Sequence, residues 1–479
     1  MSGTKAMKMN ILDEFEIKGF WKLPESEEEV SGILFYSKDK ITLELLGSFG
    51  DEYDIPNKLN RYDIVHGFSD KGEEFTLFDV YMSTFSFNAP GILTESYLVS
   101  EFIVGANFKS KEEIEFYSMS IYPTYLAEWL DRRNFIGKYD ENRNLKSIEW
   151  LDSVAFEYRV EELNVNIKEI QYINESANTQ HKFNWTTQTG LQITPNKTKN
   201  LEWFLDVSHS LKNLLTLIIN QPIHIIRYNF YGDIDTTIGG NEKYRKKYCY
   251  FRTVRNLTIK PKFDESSAFV KFRDIEDSFE FIINNWFKVQ AEYETIFDLY
   301  TSEFYKTRYI NSSFLSAIQS LETYHRKKFN TKLFNEETYS SFAEKIIEYA
   351  KKETPEFASK IEGMLGYGNE VSLSKRIKEL LGNMGEDIKE YIIGEKPKQK
   401  KFIQQLVDTR NYLTHFDKGK KANLLESFDE LFYATQRLKA LQIVIMYKEL
   451  GIEENFVFDK IKNTNQFSWH LPKAKKVLN

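Results

Sequence analysis

Cysteine is nearly missing from this chain of 479 residues: Cys249 stands alone. No internal disulfide framework can form, and no zinc site built from several thiolates is available. Proline is scarce too, with 10 residues, of which only three lie beyond residue 276. An excess of positive charge is also lacking, because 64 Lys and Arg against 71 Asp and Glu leave a net charge of −7. That balance excludes coating of nucleic acid or anionic membrane by bulk electrostatics, so any polynucleotide contact has to come from a local patch. The longest apolar run, "LLTLIIN" at 214–220, is far too short for a membrane span. The opening "MSGTKAMKMNILDEFEIKGFW" holds no run of the kind an export signal needs. A soluble, cytoplasmic protein is expected, and Asn-x-Ser/Thr triplets such as those at Asn184 and Asn256 then carry no meaning. There is no HExxH, no cysteine pair and no acidic triad, so neither a metal nor another cofactor is expected.

What is present is ample core material. Hydrophobic residues make up 41% and aromatics 15%, with 38 Phe and 28 Tyr, which argues against disorder. The length suits two or three domains.

Residues 12–120 carry short alternating runs: "EFEIKGFWKLP", "SGILFYSKDKITLELLGSFG", "FTLFDVYM" and "SYLVSEFIVGANF". Polar segments between them, "SKDK", "SDKGEE" and "KSKEE", read as hairpin turns. The pattern predicts an antiparallel sandwich or barrel and continues to about 195. One helix interrupts it, "NLEWFLDVSHSLKNLLTLIIN", stopped by Pro222, and "IHIIRYNFYG" reads as a strand after it. The N-terminal domain is thus placed at 1–275, β-rich, with a helical insertion near 200–220.

Beyond 276 the period changes to three and four. "DSFEFIINNWFKVQAEYETIFDLYTSEFY", "FLSAIQSLETYHRKKF", "YSSFAEKIIEYAKK", "FIQQLVDTRNYLTHF" and "NLLESFDELFYATQRLKALQIVIMYKEL" predict an all-α bundle over 276–479. Glycines in "GMLGYGN" and at 382–394 mark the expected loops, a short linker falls near 265–285, and "LPKAKKVLN" reads as a solvated tail. The fold class is α+β and multidomain.

An arginine five places before a histidine occurs twice, in "RYDIVH" (Arg61, His66) and "RNYLTH" (Arg410, His415). Seven His and 15 Arg predict about 0.2 such pairs by chance, so context decides. The first pair lies in an alternating stretch, where positions five apart point to opposite faces. His66 reads as a strand-end or turn histidine. The second pair lies on a helix. There Asn411 and His415 are i and i+4 and share a face, and the rise from Arg410 to His415 is only about 7.5 Å. Both groups can reach one phosphate. The same residues also fit a plainer account, with one exposed arginine and one capping histidine near a helix end before "DKGKK".

Arg, a polar residue, three more residues and His, late in an all-α bundle, resembles the motif of HEPN ribonucleases over about 276–450. In the N-terminal half, "GFWKLP", "VSGILFY", "LELLGSF" and "FTLFDVYM" resemble the β-rich domain that precedes HEPN in the ApeA group of anti-phage proteins. The resemblance implies Arg410, Asn411 and His415 as catalytic residues. It also implies that the helix "FLSAIQSLETYHRKKF" contributes a further polar group, with Glu322 and His325 as candidates. It implies two motif helices paired across a homodimer or higher even oligomer, and an N-terminal domain that senses a phage-derived trigger or restrains the nuclease.

The chemistry that follows is metal-independent RNA cleavage, with tRNA a plausible target class for a translation-blocking defence. RNA carries its own nucleophile, the 2′-OH. Histidine can move its proton, arginine can hold the phosphate, and Asn411 can orient the imidazole. Lys396, Lys398, Lys400 and Lys401, in "EKPKQKKF", supply a local basic run for RNA, or else a solvated loop. A second basic-aromatic stretch, "NEKYRKKYCYFR", reads as a hairpin with a charged turn. "GMLGYGNE" is no phosphate cradle, "TTIGGNEKY" is a Gly-Gly turn, and His209 is a satisfied helix histidine. Two rivals stand beside this reading: a non-catalytic dimerisation or nucleotide- or RNA-binding protein, and a metal-dependent DNA nuclease sited in the β half.

Overall fold

The computed structural model describes residues 9–50, 60–87, 90–112, 114–132, 135–151, 155–179, 182–238, 242–254, 259, 262–415 and 423–478. Over 172–179, 182–185, 235–238 and 242–244 it describes the backbone alone. The second asparagine triplet, at Asn256, the pair Gly239–Gly240 and the segment "DKGKK" at 417–421 lie outside these residues. The chain divides into two compact units. One holds residues 1–265 and 270–287, the other 266–269 and 288–479. The stretch where they exchange chain overlaps the expected linker.

The first unit opens with β1 (Phe15–Lys22), β2 (Val30–Tyr36), β3 (Ile41–Leu46), β4 (Arg61–Ser69), β5 (Glu74–Ser86) and β6 (Thr94–Val104). Strand order β6-β3-β2-β1-β4-β5 returns to β6 through β5–β6 pairing, so these six strands close into a barrel. The turns form where polar residues interrupt the alternation: Ser37 and Lys40 bond each other's backbone between β2 and β3, and Gly72 takes φ 76° between β4 and β5. "KSKEE" instead leads out of β6 to a strand that does not pair with it. Inward positions Trp21, Leu34, Leu43, Leu45, Val65, Phe75 and Leu77 fill the barrel, all fully buried. Trp21 fits because of Gly67: a Cβ there would lie 2.3 Å from the indole ring. Any side chain at that position evicts the tryptophan.

His66 is not at a strand end. It sits within β4, is 7% exposed, and its Nε2 lies 2.7 Å from the Phe108 carbonyl oxygen, to which it donates. The bond satisfies a buried imidazole, which a strand-end reading did not require.

The chain continues beyond the barrel through β7 (Glu115–Phe116), β8 (Ser118–Pro123), helix α1 (Leu126–Trp129), β9 (Phe135–Tyr139), β10 (Leu145–Trp150), β11 (Glu157–Val160), β12 (Val165–Thr179), β13 (Lys182–Pro195), β14 (Lys199–Asn200), α2 (Leu201–Ile219), β15 (Ile225–Ile238) and β16 (Glu242–Arg252), with β7–β14 and β9–β10 paired as separate two-stranded sheets. β16 adds to the free edge of β6, and β15, β8, β13, β12 and β11 follow in order. "NEKYRKKYCYFR" is thus mostly strand. Arg245 lies over the Tyr117 ring, 3.3 Å from its centroid, and its guanidinium donates to the Gly232 carbonyl at 3.1 Å. Helix α2 starts at an Asn200 cap whose side chain accepts from the Trp203 amide at 3.0 Å, and ends at Asn220 in the left-handed region, φ 60°. Its apolar face, with Phe204, Leu211, Leu214 and Leu215, is buried. His209 stays on the exposed side, with Asn213 at 3.2 Å from its Nε2.

From Phe279 the chain is helical: α3 (Phe279–Ser302), α4 (Ile310–Phe329), α5 (Glu336–Glu353), α6 (Pro355–Tyr367), α7 (Leu373–Gly382), α8 (Glu386–Ile392), α9 (Lys396–His415), α10 (Phe428–Glu449), α11 (Glu454–Asn463) and α12 (Asn465–Leu478). In the second unit α10 is the central helix. It is buried almost from end to end and packs on α4 and α12, after a start fixed by a Ser427–Glu430 capping box. Two expectations fail here. Gly363 and Gly366 lie inside α6 rather than in a loop, and a Cβ at either would meet nothing within 4 Å. The C-terminal segment is no tail: Leu471, Ala474 and Leu478 are buried and make α12 part of the bundle. Apolar residues at i, i+3 and i+7 outweighed its lysines.

Candidate active site

Helix α9 carries the Arg–His motif. Its buried stripe is Phe402, Ile403, Gln405, Leu406 and Thr409, which seats it against α4 and α7. Thr409 also accepts from the Leu425 amide at 3.0 Å, and Asn423 donates to Asp408 at 3.2 Å, so the returning chain is fastened just before the motif. His415 is the last residue of the helix and is exposed, where a cationic side chain also suits the negative end of the macrodipole. Among the described residues His415 makes no hydrogen bond or ion pair.

Arg410 is half-buried and doubly held. Its Nη2 donates to Glu322 Oε2 at 2.9 Å, and its Nη1 donates to Asn411 Oδ1 at 3.1 Å. The guanidinium therefore rests against α4 on one side and against the residue that shares a face with His415 on the other. Five helical steps turn Arg410 about 140° from His415, so an approach of the two groups has to come from the long arginine side chain and not from the backbone.

Of the two α4 candidates, Glu322 reaches the motif and His325 does not. His325 is fully buried; its Nε2 lies 2.7 Å from Glu379 Oε2, and its Nδ1 lies 3.3 Å from Arg376 Nη1. Nδ1 faces a guanidinium, which can only donate, so the ring proton sits on Nε2 and the imidazole is neutral. Burial pushes its pKa below the ordinary value, which agrees.

A set of further ion pairs continues from Glu322. Arg326 lies 3.6 Å from Glu322 and 3.1 Å from Glu370, and Glu370 lies 3.2 Å from the buried Arg376. Only the i, i+4 step from Glu322 to Arg326 left a trace in the sequence, in "LETYHR".

The four lysines are not in a loop; they occupy the first turns of α9 and are exposed. They do not form one patch. At about 100° per residue Lys396, Lys400 and Lys401 fall on the side of Asn411 and His415, whereas Lys398 falls on the opposite side. Burial holds the Lys475 ammonium below its usual pKa, and the charges of Arg437 and, less, of Lys398 add to the shift. The run lies about 14–21 Å along the axis from Arg410, too far to share one phosphate with it. Among the described residues no three His, Cys, Asp or Glu side chains converge as a metal site needs.

Two family models match the chain: ApeA N-terminal domain 1 over residues 16–286 and Apea-like HEPN over residues 315–456. No curated protein and no solved structure is significantly similar to it. The HEPN match takes in most of α4, including Glu322, and the whole of α9; the other covers the barrel and the sheet that extends it. With that order of a β-rich region and a helical HEPN region, the chain belongs to the ApeA family of anti-phage proteins.

Proposed function

We propose that the protein is a metal-independent endoribonuclease of anti-phage defence, with its chemistry carried by Arg410 and His415. The observations that support this best are the exposed imidazole of His415 and, five residues before it on the same helix, a guanidinium already oriented by Glu322 and Asn411. In this mechanism His415 takes the proton of an RNA 2′-OH as O2′ attacks the adjacent phosphorus. The P–O5′ bond breaks, the 5′-oxygen leaves with a proton, and the products carry a 2′,3′-cyclic phosphate and a 5′-OH. Arg410 holds the non-bridging oxygens and offsets the charge that builds on the pentacoordinate phosphorus. Asn411 orients the imidazole or donates to a phosphate oxygen. Acid–base cleavage wants two proton-transfer groups, and a homodimer with facing motif helices supplies the second histidine. Lys396, Lys400 and Lys401 meet phosphates flanking the cut. The β-rich unit senses a phage-derived trigger and restrains the nuclease in its absence, in the cytoplasm, where tRNA is the target class of most consequence for translation.

A non-catalytic RNA- or nucleotide-binding role is the second reading. The Arg410–Glu322 pair favours it, since that guanidinium is partly committed to a carboxylate. The test is cleavage of total RNA, in the presence of EDTA, by the wild type, Arg410→Ala and His415→Ala, with sequencing of the RNA ends. The nuclease reading expects cyclic-phosphate ends from the wild type alone. Equal cutting by the variants, or arrest by EDTA, overturns it; binding without cutting selects the second reading.

A further inference from the structure

Two arginines compete for Glu322. Its Oε2 accepts from Arg410 at 2.9 Å, and its Oε1 faces Arg326, one helical turn further along α4. Glutamate four places before a basic residue is the favoured order for a helical ion pair, so α4 by itself would close Arg326 onto Glu322. In the folded chain that pair stays open. Arg326 Nη2 lies 3.6 Å from Glu322, beyond hydrogen-bond length, but 3.1 Å from Glu370 Oε2. Glu370 draws the competing arginine aside, and Glu322 keeps its shorter bond for Arg410.

Glu370 is fixed where it stands. It follows Asn369, whose side chain accepts from the Phe334 amide at 2.8 Å and donates to the Phe334 carbonyl at 3.1 Å, and its own backbone bridges that of Lys332. The chain entering α5 and the chain leaving α6 are thus tied together at the root of that helical hairpin. The same Glu370 oxygen lies 3.2 Å from Nη2 of the buried Arg376, which gives the carboxylate a second anchor. With Arg326 54% exposed, its pair with Glu370 adds little to stability. What the pair decides is which carboxylate Arg326 takes.

We propose that Glu370 is a positioning residue of the nuclease site: by holding Arg326 it leaves Glu322 to aim Arg410, and the root of the α5–α6 hairpin becomes part of the site. The proposal rests on the nuclease reading and adds to it a residue that does not touch Arg410. Without the charge at position 370, Arg326 turns to the nearest remaining carboxylate, Glu322. A carboxylate that serves two guanidinium groups holds each less firmly. Arg410 then keeps its charge and loses its direction, and a loss of aim lowers kcat whereas a loss of charge raises KM.

Glu370→Gln in the full chain keeps the shape and removes the charge. It is expected to lower kcat on RNA by about tenfold with KM little changed. Two double variants separate this route from general damage. In a Glu322→Gln background, Glu370→Gln is expected to cost nothing more, because the contested carboxylate is already gone. Glu370→Gln with Arg326→Gln is expected to regain most of the lost kcat, because no competitor is left to hold aside. An unchanged kcat, an effect confined to KM, equal losses with and without Glu322, or no rescue by Arg326→Gln overturns the proposal. Guanidinium NMR of the chain carrying isotope-labelled arginine gives a reading that needs no cleavage. The Arg410 signal, identified by its loss in Arg410→Ala, is expected to shift in Glu370→Gln and to return in the variant that also lacks Arg326. Such a shift in a chain that does not cut RNA sinks the nuclease alone, and cleavage with an unmoved Arg410 signal sinks the role of Glu370 alone.

Discussion

A phosphate that enters the site has to share Arg410 with Glu322, because that carboxylate already takes one of its two outer nitrogens. In the proposed mechanism Glu322 is therefore a positioning residue. Glu322→Gln is expected to lower kcat with little change in KM, since the guanidinium keeps its charge but loses its aim; a change confined to KM argues against it. The two motif residues differ in what they cost the fold. The pair is partly exposed, 32% at Arg410 and 20% at Glu322, so Arg410→Ala destabilises by no more than about 1 kcal/mol. His415→Ala, with no partner among the described residues, leaves the melting temperature unchanged. His325 sets a pH dependence instead. Its folded-state pKa lies below the ordinary value, so the unfolded chain binds the proton more readily; the contribution is complete above about pH 6.5 and is lost as pH falls below it. Glu379 opposes the shift, while Arg376 and Lys375 add to it. Urea melts of His325→Gln between pH 7 and 5 are expected to show a flatter slope than the wild type. The motif pair and Glu322 were legible because helical spacing and a family pattern mark them. The chain of ion pairs through Glu370 and Arg376 was not, because it joins residues as far apart as His325 and Glu379, which only tertiary packing brings together.

Helix α9 sets stability against binding. Lysines in its first turns oppose the macrodipole, and no acidic residue balances them there. Changing Lys396, in the first turn, to Ala is expected to stabilise the helix slightly, by about 0.3–1 kcal/mol. If the chain binds RNA as proposed, the same change is expected to weaken that binding and to lower the salt-dependence slope by about one unit per lysine removed. Lys398→Ala is expected to leave the slope alone, because it stands on the other side of the helix. Titrations of RNA binding at several salt concentrations decide this, and equal effects at all positions contradict the division. Helix α9 and most of the bundle could be read from their period of three to four. The glycines of α6 misled because glycine marks a loop by its freedom, while here two of them sit in a continuous helix with open space beside them.

Across the whole molecule, the β half was predictable as antiparallel, but a sandwich and a barrel share the same alternation. What decides between them is that β6 pairs with β5 on one edge and with β3 on the other, the latter joining residues as far apart as Thr42 and Leu98. Trp21 is the plug of that barrel, and Trp21→Ala is expected to cost about 3–5 kcal/mol. Calorimetry of the full chain should show the loss in the transition of the first unit, with the helical unit unmoved; a uniform shift of both transitions contradicts the independence of the two cores.

Strand β6 belongs to two structures at once. One edge runs along β5, and the other is divided between β3, inside the barrel, and β16, where the open sheet begins. A single ribbon of backbone is thus common property, and neither neighbour can surrender it without taking the other along. To heat or to a protease, those dozen strands present one all-or-nothing decision.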